Sequence, residues 1–173
     1  MSKKPHILYH ASPDRNIQRF EPRKEHIRSA DDGPVVFATS NKAYASAFLV
    51  RWDDSWAHLS SHNGLVLMAI SDKERFLRSD RGGAIYELPS DDFENVSPTE
   101  DHPEWKSATA VTPSGKTEYA STLDAMIENG VQVYFVDRDA FEKIRTADDF
   151  GLSILSALVS ENQKRGMGAR SVK

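Results

Sequence analysis

A histidine ends the first apolar run of this chain, in the stretch "ILYHASPDR" at residues 7–15. His10 follows Tyr9, and Ser12 begins a Ser-Pro turn at which the chain leaves the predicted strand. A lone histidine near a strand end is often structural. Here imidazole and hydroxyl groups share one edge, where they could hydrogen-bond a ribose.

A second group of candidate residues lies where a strand passes into a helix, in "VVFATSNKAYASAF" at residues 35–48. A buried strand followed by an amphipathic helix explains most of its apolar residues. It explains less well the small polar pair Thr39 and Ser40, with Tyr44 about one turn later. Such a junction offers backbone N–H groups and an aromatic surface. Ser40 is also the predicted N-cap of the helix.

A third candidate is Glu104, which opens a predicted strand after a proline-containing loop, in "HPEWKSATAV" at residues 102–111. A carboxylate at a strand end is usually solvated, but it is also placed where a single acid could face a cleft. We interpret the acids of residues 90–101 as solvated loop charges. His58 and His62 are four residues apart, but no nearby acid completes a zinc motif, so we expect no metal site.

Taken in this order, the three stretches resemble the ADP-ribosyltransferase fold of the poly(ADP-ribose)-polymerase and diphtheria-toxin lineage. Members of that lineage present a histidine in a first-strand "(Y/W)HG(S/T)". A "(Y/F)FA" strand and the small-polar helix after it contact nicotinamide, and a glutamate at the head of a later strand is catalytic. The resemblance spans about residues 7 to 137. It implies NAD as the substrate, no metal, and reaction at an N-glycosidic bond.

The resemblance implies a role for each matching residue. His10 would hydrogen-bond the ribose next to nicotinamide, and Ser12 matches the small residue whose neighbourhood contacts the nicotinamide amide. Ala11 stands where many members have glycine, and Val36 where many have the stacking tyrosine. Glu104 matches the catalytic glutamate. The other expected substrate contacts are Tyr9, Phe37, Thr39, Ser40, Tyr44 and Phe48.

Glu118 competes with Glu104 for the catalytic role. It lies in "KTEYAS" at residues 116–121, which we interpret as the start of a helix. An acid is favourable in the first turn of a helix, so Glu118 has an ordinary structural explanation and Glu104 is preferred. The catalytic carboxylate would stabilise an oxocarbenium-like transition state and orient the attacking nucleophile.

Two other functions stay open. On the same fold, a DNA glycosylase could excise a modified or unmodified base to leave an abasic site, for example in anti-phage defence, after extruding the base into its pocket. The basic stretches "SKKPH", "RKEHIR" and "KRGMGARSVK" would then form a cationic path for the DNA. In the third interpretation the protein is a non-enzymatic nucleotide-binding module, in which His10 and Glu104 are structural.

The composition limits these interpretations. The chain has 173 residues, a length that fits one domain. It contains no cysteine and carries a net charge of −4. A disulfide framework and a thiolate zinc site are therefore excluded, and the charge argues weakly against general nucleic-acid binding. There is no apolar leader and no apolar run of about 18 residues, so we expect no signal peptide, no membrane span and a cytoplasmic location.

The predicted helices are few and do not alternate regularly with strands, which favours a mixed α+β fold with a mostly antiparallel split sheet. We expect one ADP-ribosyltransferase-like domain over residues 1–165 and a flexible tail over 166–173. Strands are predicted at 6–11, 35–39, 65–71, 82–89, 104–111 and 131–137. Helices are predicted at about 41–52, 117–130, 138–145 and 148–164, with 53–64 as a loop or frayed helix and 72–81 as a charged turn.

Overall fold

The computed structural model describes residues 3–24, 33–149 and 151–164. Within these ranges the chain forms an α+β structure with five α-helices and nine strands. The strands are β1 (Ile7–Ser12), β2 (Val36–Ala38), β3 (Ala57–His62), β4 (Leu65–Ile70), β5 (Gly83–Pro89), β6 (Glu94–Asn95), β7 (Trp105–Ser107), β8 (Gly115–Tyr119) and β9 (Gln132–Phe135). The helices are α1 (Lys42–Ser46), continued by a 3-10 helix (Ala47–Leu49), α2 (Lys73–Ser79), α3 (Thr122–Glu128), α4 (Arg138–Thr146) and α5 (Leu152–Lys164).

The nine strands form three sheets of three strands each. In the first sheet β5 lies between β1 and β8, and in the second β7 lies between β2 and β6, with all pairs antiparallel. In the third sheet β4 pairs antiparallel with β3 and parallel with β9. The predicted mixed, mostly antiparallel α+β architecture is therefore confirmed.

The short strand β2 connects the first two sheets. Beyond its end, Thr39 forms an antiparallel bridge with Tyr9 of β1, with N–H···O distances of 2.7 and 3.0 Å. On its other side, Ala38 of β2 pairs with Trp105 of β7. Continuing this register by one residue places Glu104 opposite Thr39. The pairing alone therefore brings the end of β1 and the residue before β7 to neighbouring positions beside β2.

The buried strand β4 explains the apolar run "LVLMAI" at residues 65–70. Val66, Met68 and Ile70 pack into a core cluster with α3 and β9, whereas Leu67 and Ala69 pack into a second cluster with α4 and α5. Because both faces of this strand are covered, its sequence is continuously apolar instead of alternating.

Five predicted strands coincide with β1, β2, β4, β5 and β9, whereas the strand predicted at 104–111 is shorter, since β7 covers only Trp105–Ser107. Strand β3 is a correction, because we expect a loop or frayed helix at residues 53–64. The strand forms a hairpin with β4 across Asn63 and Gly64, whose φ values are 49° and 79°. An Asn-Gly pair that adopts positive φ at both positions is the preferred two-residue hairpin turn. The polar residues of β3 do not resemble a strand pattern, but the Asn63-Gly64 turn that follows them indicates a hairpin.

The segment at 72–81 is a second correction, because it contains helix α2 instead of a charged turn. Asp72 caps this helix by accepting a hydrogen bond from the Arg75 backbone N–H at 2.9 Å. The helix buries a single aromatic side chain, Phe76, in the core. One buried residue among five charged or polar ones and an exposed leucine is too weak a pattern to identify a helix from sequence.

The helix predicted at 117–130 begins only at Thr122, and Glu118 belongs instead to the antiparallel strand β8. The interpretation of Glu118 as a first-turn acid is therefore wrong. The cap of α3 is Ser121, which accepts a hydrogen bond from the Asp124 N–H at 3.2 Å. Gly130 follows this helix with a φ of 90°, as expected for a residue that terminates a helix.

The helix after β2 is shorter than predicted, and its N-cap is Asn41 instead of Ser40. The Asn41 carboxamide accepts a hydrogen bond from the Tyr44 N–H at 3.1 Å. The predicted tail at 166–173 lies outside the described residues. Among the helices that the structure describes, each is too short or too polar to cross a bilayer.

Candidate functional site

A cavity of about 630 Å³ opens between β1, the segment from β2 to Trp52, and the residue before β7. Its lining includes both His10 and Glu104, which are 94 positions apart in the chain. The structure also places six other predicted site residues on its wall, and leaves Ser40 exposed outside it. These six are Tyr9, Ser12, Phe37, Thr39, Tyr44 and Phe48.

The imidazole of His10 is oriented by two contacts. Its Nδ1 lies 2.6 Å from the Phe37 carbonyl oxygen, and its ring packs against Phe20 at a centroid distance of 4.7 Å. A carbonyl oxygen only accepts hydrogen bonds, so Nδ1 carries the proton and donates. In the neutral ring Nε2 is then a hydrogen-bond acceptor, which suits a hydroxyl donor such as a ribose.

Glu104 is held through its backbone by Ser97. The Glu104 N–H donates to the Ser97 hydroxyl at 2.8 Å, and that hydroxyl donates to the Glu104 carbonyl at 3.2 Å. The Val96 N–H also donates to the Glu104 carbonyl, at 2.9 Å. Among the described residues that line the cavity, Glu104 is the only carboxylate. A carboxylate on a constrained backbone can act as a fixed negative charge in this cavity.

One wall of the cavity is an aromatic ladder, which we define as Tyr44, Phe48 and Trp52. Successive ring centroids are 5.5 Å apart, and the Phe48 and Trp52 planes are stacked with 30° between them. Trp52 is anchored because its indole N–H donates to the Ala47 carbonyl at 2.9 Å. Phe48 is 43% exposed. The ladder offers flat apolar surface for a planar base.

Tyr44 is the member of the aromatic ladder that lies toward Glu104. Tyr44 makes an edge contact with His102, two residues before Glu104, at a centroid distance of 6.1 Å. Trp52 was not among the predicted residues, although the spacing of four between Tyr44, Phe48 and Trp52 indicates one helical face. Val36, at the position where many members of the resembled lineage have a stacking tyrosine, is buried in the core and does not line this cavity.

The polar groups where β2 passes into α1 mostly form hydrogen bonds within the protein. The Thr39 hydroxyl accepts from the Asn41 N–H at 3.1 Å, and the Tyr44 N–H is bound by the Asn41 cap. The expectation of open backbone N–H groups here is wrong for these two amides. Ser12, at the end of β1, accepts a hydrogen bond from the Asp14 N–H at 3.2 Å.

Glu118 lies outside the cavity. It is exposed on β8 and forms an ion pair with Lys116 at 2.6 Å. The hydrogen bond from the Lys116 ammonium holds the pKa of the Glu118 carboxyl below its ordinary value. A surface ion pair of this kind has a structural explanation that does not need a substrate.

The two histidines of β3 have separate partners. His58 contacts the Ser60 hydroxyl at 3.0 Å, and His62 contacts the Asp101 carboxylate at 3.1 Å. The described residues contain no group of three or more His, Asp or Glu side chains arranged to hold a metal ion.

A second cavity of about 280 Å³ adjoins the first. The boundary between the two, which we call the junction, is formed by residues that line both cavities. These are His10, Ser12, Pro13, Arg23, Phe37 and Arg51. The sequence indicates Arg23 only as part of a basic stretch and does not single out Arg51, because it does not show that both arginines line the same boundary as His10.

Comparisons with family models, with curated proteins and with solved structures found no match for this chain. Any assignment of function therefore rests on the residues and geometry of the site itself.

Proposed function

We propose that this protein is an enzyme acting at an N-glycosidic bond, and specifically an NAD-dependent ADP-ribosyltransferase or NAD glycohydrolase. One observation carries the proposal: His10, Glu104 and the aromatic ladder line a single cavity. The three residue groups come from distant parts of the chain, and each supplies a different interaction that a nicotinamide riboside would need.

In the proposed reaction, the bond between C1′ of the ribose and the nicotinamide nitrogen breaks. Its electron pair leaves with nicotinamide, and positive charge develops on the sugar. The Glu104 carboxylate stabilises that charge and orients the incoming hydroxyl or water. The nucleophile's oxygen bonds to C1′ and releases a proton to a carboxylate or to solvent. His10 Nε2 accepts a hydrogen bond from a ribose hydroxyl, and the aromatic ladder holds the base.

The proposed ADP-ribosyltransferase-like fold is supported by the order of strands around the cavity. The three stretches that carry the resemblance follow one another along the chain, and in space β2 lies beside both β1, through the Tyr9–Thr39 bridge, and β7, the strand after Glu104. The departure at Val36 is accommodated if the aromatic ladder supplies the stacking surface that the tyrosine gives other members. A single domain over 1–165 and a cytoplasmic location belong to the same proposal.

A second candidate function is excision of a base from single-stranded or distorted DNA. It is favoured by the exposure of Phe48, which stacks on Trp52 at the cavity wall next to Arg51. Exposed aromatic rings beside cationic side chains are typical of surfaces that stack the bases of a strand. The target base would have to be extruded into the cavity.

Two assays of the wild-type protein test these candidates. Incubation with NAD should release nicotinamide if the first is right, whether or not an acceptor protein is present. Incubation with oligonucleotides that carry ordinary or modified bases should create abasic sites if the second is right. If the protein does neither on a broad panel of substrates, the proposal is wrong and the interpretation as a non-enzymatic nucleotide-binding module is favoured.

A further inference from the structure

The junction between the two cavities is cationic, although the chain as a whole carries a net charge of −4. Among the described residues that line both cavities, Arg23 and Arg51 are the charged side chains, and His10 is beside them. The acids Asp14 and Glu21 line only the smaller cavity, and Glu104 only the larger. Positive charge is therefore concentrated at the boundary next to His10.

Both arginines extend from constrained backbone. Arg23 forms an antiparallel bridge with Val35 just before β2, with N–H···O distances of 3.1 and 3.3 Å. Arg51 follows the buried residues Leu49 and Val50 and precedes Trp52, whose indole is anchored. Constrained attachment lowers the entropy that each side chain loses when its head group binds a ligand.

Neither guanidinium has an ion pair or hydrogen bond with another residue in the described part of the chain. Neighbouring arginines differ in this respect. Arg19 pairs with Glu21 at 2.9 Å, and Arg15 donates to the Arg81 and Tyr119 carbonyls at 2.8 and 3.0 Å. As far as the described residues go, the guanidinium groups of Arg23 and Arg51 are therefore available to donate to an anion.

We propose that Arg23 and Arg51 bind the 5′-phosphate of the nucleotide whose ribose lies beside His10. This inference rests on the proposed function, since it takes the nucleoside to occupy the larger cavity. The planar guanidinium group donates paired hydrogen bonds to phosphate oxygens, and two such groups match one phosphate or a pyrophosphate. A dinucleotide and a nucleic-acid strand share this chemistry, so the arginines select nucleotides over nucleosides in either case.

The test is calorimetric titration of the Glu104→Gln protein, which is used to prevent turnover, with nicotinamide riboside and nicotinamide mononucleotide. These two ligands differ by one phosphate. The mononucleotide should bind about tenfold or more tightly than the riboside. Adding Arg23→Gln or Arg51→Gln should remove most of that advantage and leave riboside binding unchanged, while Arg51→Lys should remove only part of it.

The matched control is Arg78→Gln on α2. Arg78 is exposed, pairs only with Glu74 in the described structure, and lines neither cavity. The Arg78→Gln variant removes the same charge at a position outside both cavities and should leave the affinity for every ligand unchanged. Arg23 and Arg51 are themselves exposed, so their variants should fold, which circular dichroism and the melting temperature would verify.

The source of the phosphate is resolved by two further probes, inorganic pyrophosphate and a single-stranded DNA decamer. If the decamer binds and the nicotinamide ligands do not, with binding weakened by Arg23→Gln and Arg51→Gln, the phosphate comes from a strand. If no phosphate ligand depends on these arginines, the inference is overturned even when the wild type releases nicotinamide. Arginine-dependent phosphate binding without cleavage of any glycosidic bond would overturn only the proposed function.

Discussion

His10 shows how one residue can be structural and still suit a substrate. Its hydrogen bond to the Phe37 carbonyl and its packing on Phe20 are contacts that a purely structural histidine would also make. The same contacts determine the tautomer, because Nδ1 must donate. What distinguishes His10 from an ordinary core histidine is its place on a cavity wall that also contains Glu104.

Phe48 gives a prediction at the scale of a single residue. Phe48→Ala should weaken nucleotide binding about 5- to 150-fold, since stacking of a base on an aromatic ring contributes about 1–3 kcal/mol. Because Phe48 is 43% exposed, the free energy of unfolding should change by only about 0.5 kcal/mol. Titration with nicotinamide mononucleotide and a denaturation curve measure the two effects.

The control for this substitution is Leu77→Ala. Leu77 is 49% exposed on α2 and lines neither of the two cavities. It should leave binding unchanged. Equal affinity of the Phe48→Ala and wild-type proteins would show that the aromatic ladder does not contact the ligand.

At the scale of elements, the start of β5 positions the end of β1. Gly83 packs so closely that an added Cβ would lie 2.3 Å from the Ser12 carbonyl oxygen and 2.8 Å from Pro13 Cα. Both contacts are with backbone that borders the candidate site, so a side chain at this position must displace the chain between β1 and the turn after it.

Gly83→Ala should therefore lower both stability and activity. We expect a loss of about 2–5 kcal/mol in unfolding free energy, from backbone overlap and an unfavourable φ of 153°. Gly64→Ala is the matched control, because Gly64 has a φ of 79° but open space around it. It should cost about 1 kcal/mol and leave activity intact. A Gly83→Ala protein as stable as Gly64→Ala would contradict the close approach of β1 and β5.

A second element-scale feature is the attachment of α3 to the start of β5 through Asp80. Its carboxylate accepts from the Gly82 N–H at 3.1 Å, the Leu123 N–H at 3.1 Å, the Thr122 N–H at 2.5 Å and the Ser121 hydroxyl at 3.0 Å. Partial burial opposes ionisation, but the backbone N–H donors outweigh it and hold the pKa of Asp80 below its ordinary value of 3.8.

A lowered pKa in the folded state means that the ionised carboxylate stabilises the fold. This contribution is complete above the ordinary pKa of 3.8 and is lost as the pH falls through the lower, folded-state value. Asp80→Asn should cost about 1–3 kcal/mol at pH 7 and should lose less stability than wild type between pH 5 and about pH 2. Chemical denaturation across that range measures both.

The control here is Asp91→Asn, which neutralises an exposed carboxylate. It should keep the pH dependence of the wild type. Parallel loss of stability in the Asp80→Asn and wild-type proteins on acidification would show that the Asp80 carboxylate does not hold the helix to the strand.

At the scale of the whole molecule, local sequence patterns predicted the strands that are mostly apolar, such as β4 and β9. They did not predict β3, because its buried Ser60 and Ser61 conceal a strand that β4 pairs with and stabilises. They placed Glu118 in a helix, because the acid and the following apolar residues fit a helical face as well as a strand end.

Part of the candidate site was predictable residue by residue, but its arrangement was not. His10 and Glu104 could be selected from motifs, whereas their meeting depends on β2 pairing with both β1 and β7. Arg23 is placed at the site by its bridge to Val35 just before β2. Arg51 and Trp52 are placed there by the course of the chain after α1 and its 3-10 helix. Such tertiary placement has no local signal, because it is set by which strands associate.

In the proposed function, Glu104 is the catalytic carboxylate of an N-glycosidic-bond enzyme. The most direct test of this role compares the rate of nicotinamide release from NAD by the wild type, Glu104→Gln and Glu118→Gln, two isosteric changes of which only the first alters the cavity lining. We predict that Glu104→Gln lowers kcat at least about a hundredfold and that Glu118→Gln stays within about twofold of wild type. Full activity of Glu104→Gln, loss of activity in Glu118→Gln, or no nicotinamide release by the wild type would contradict the account.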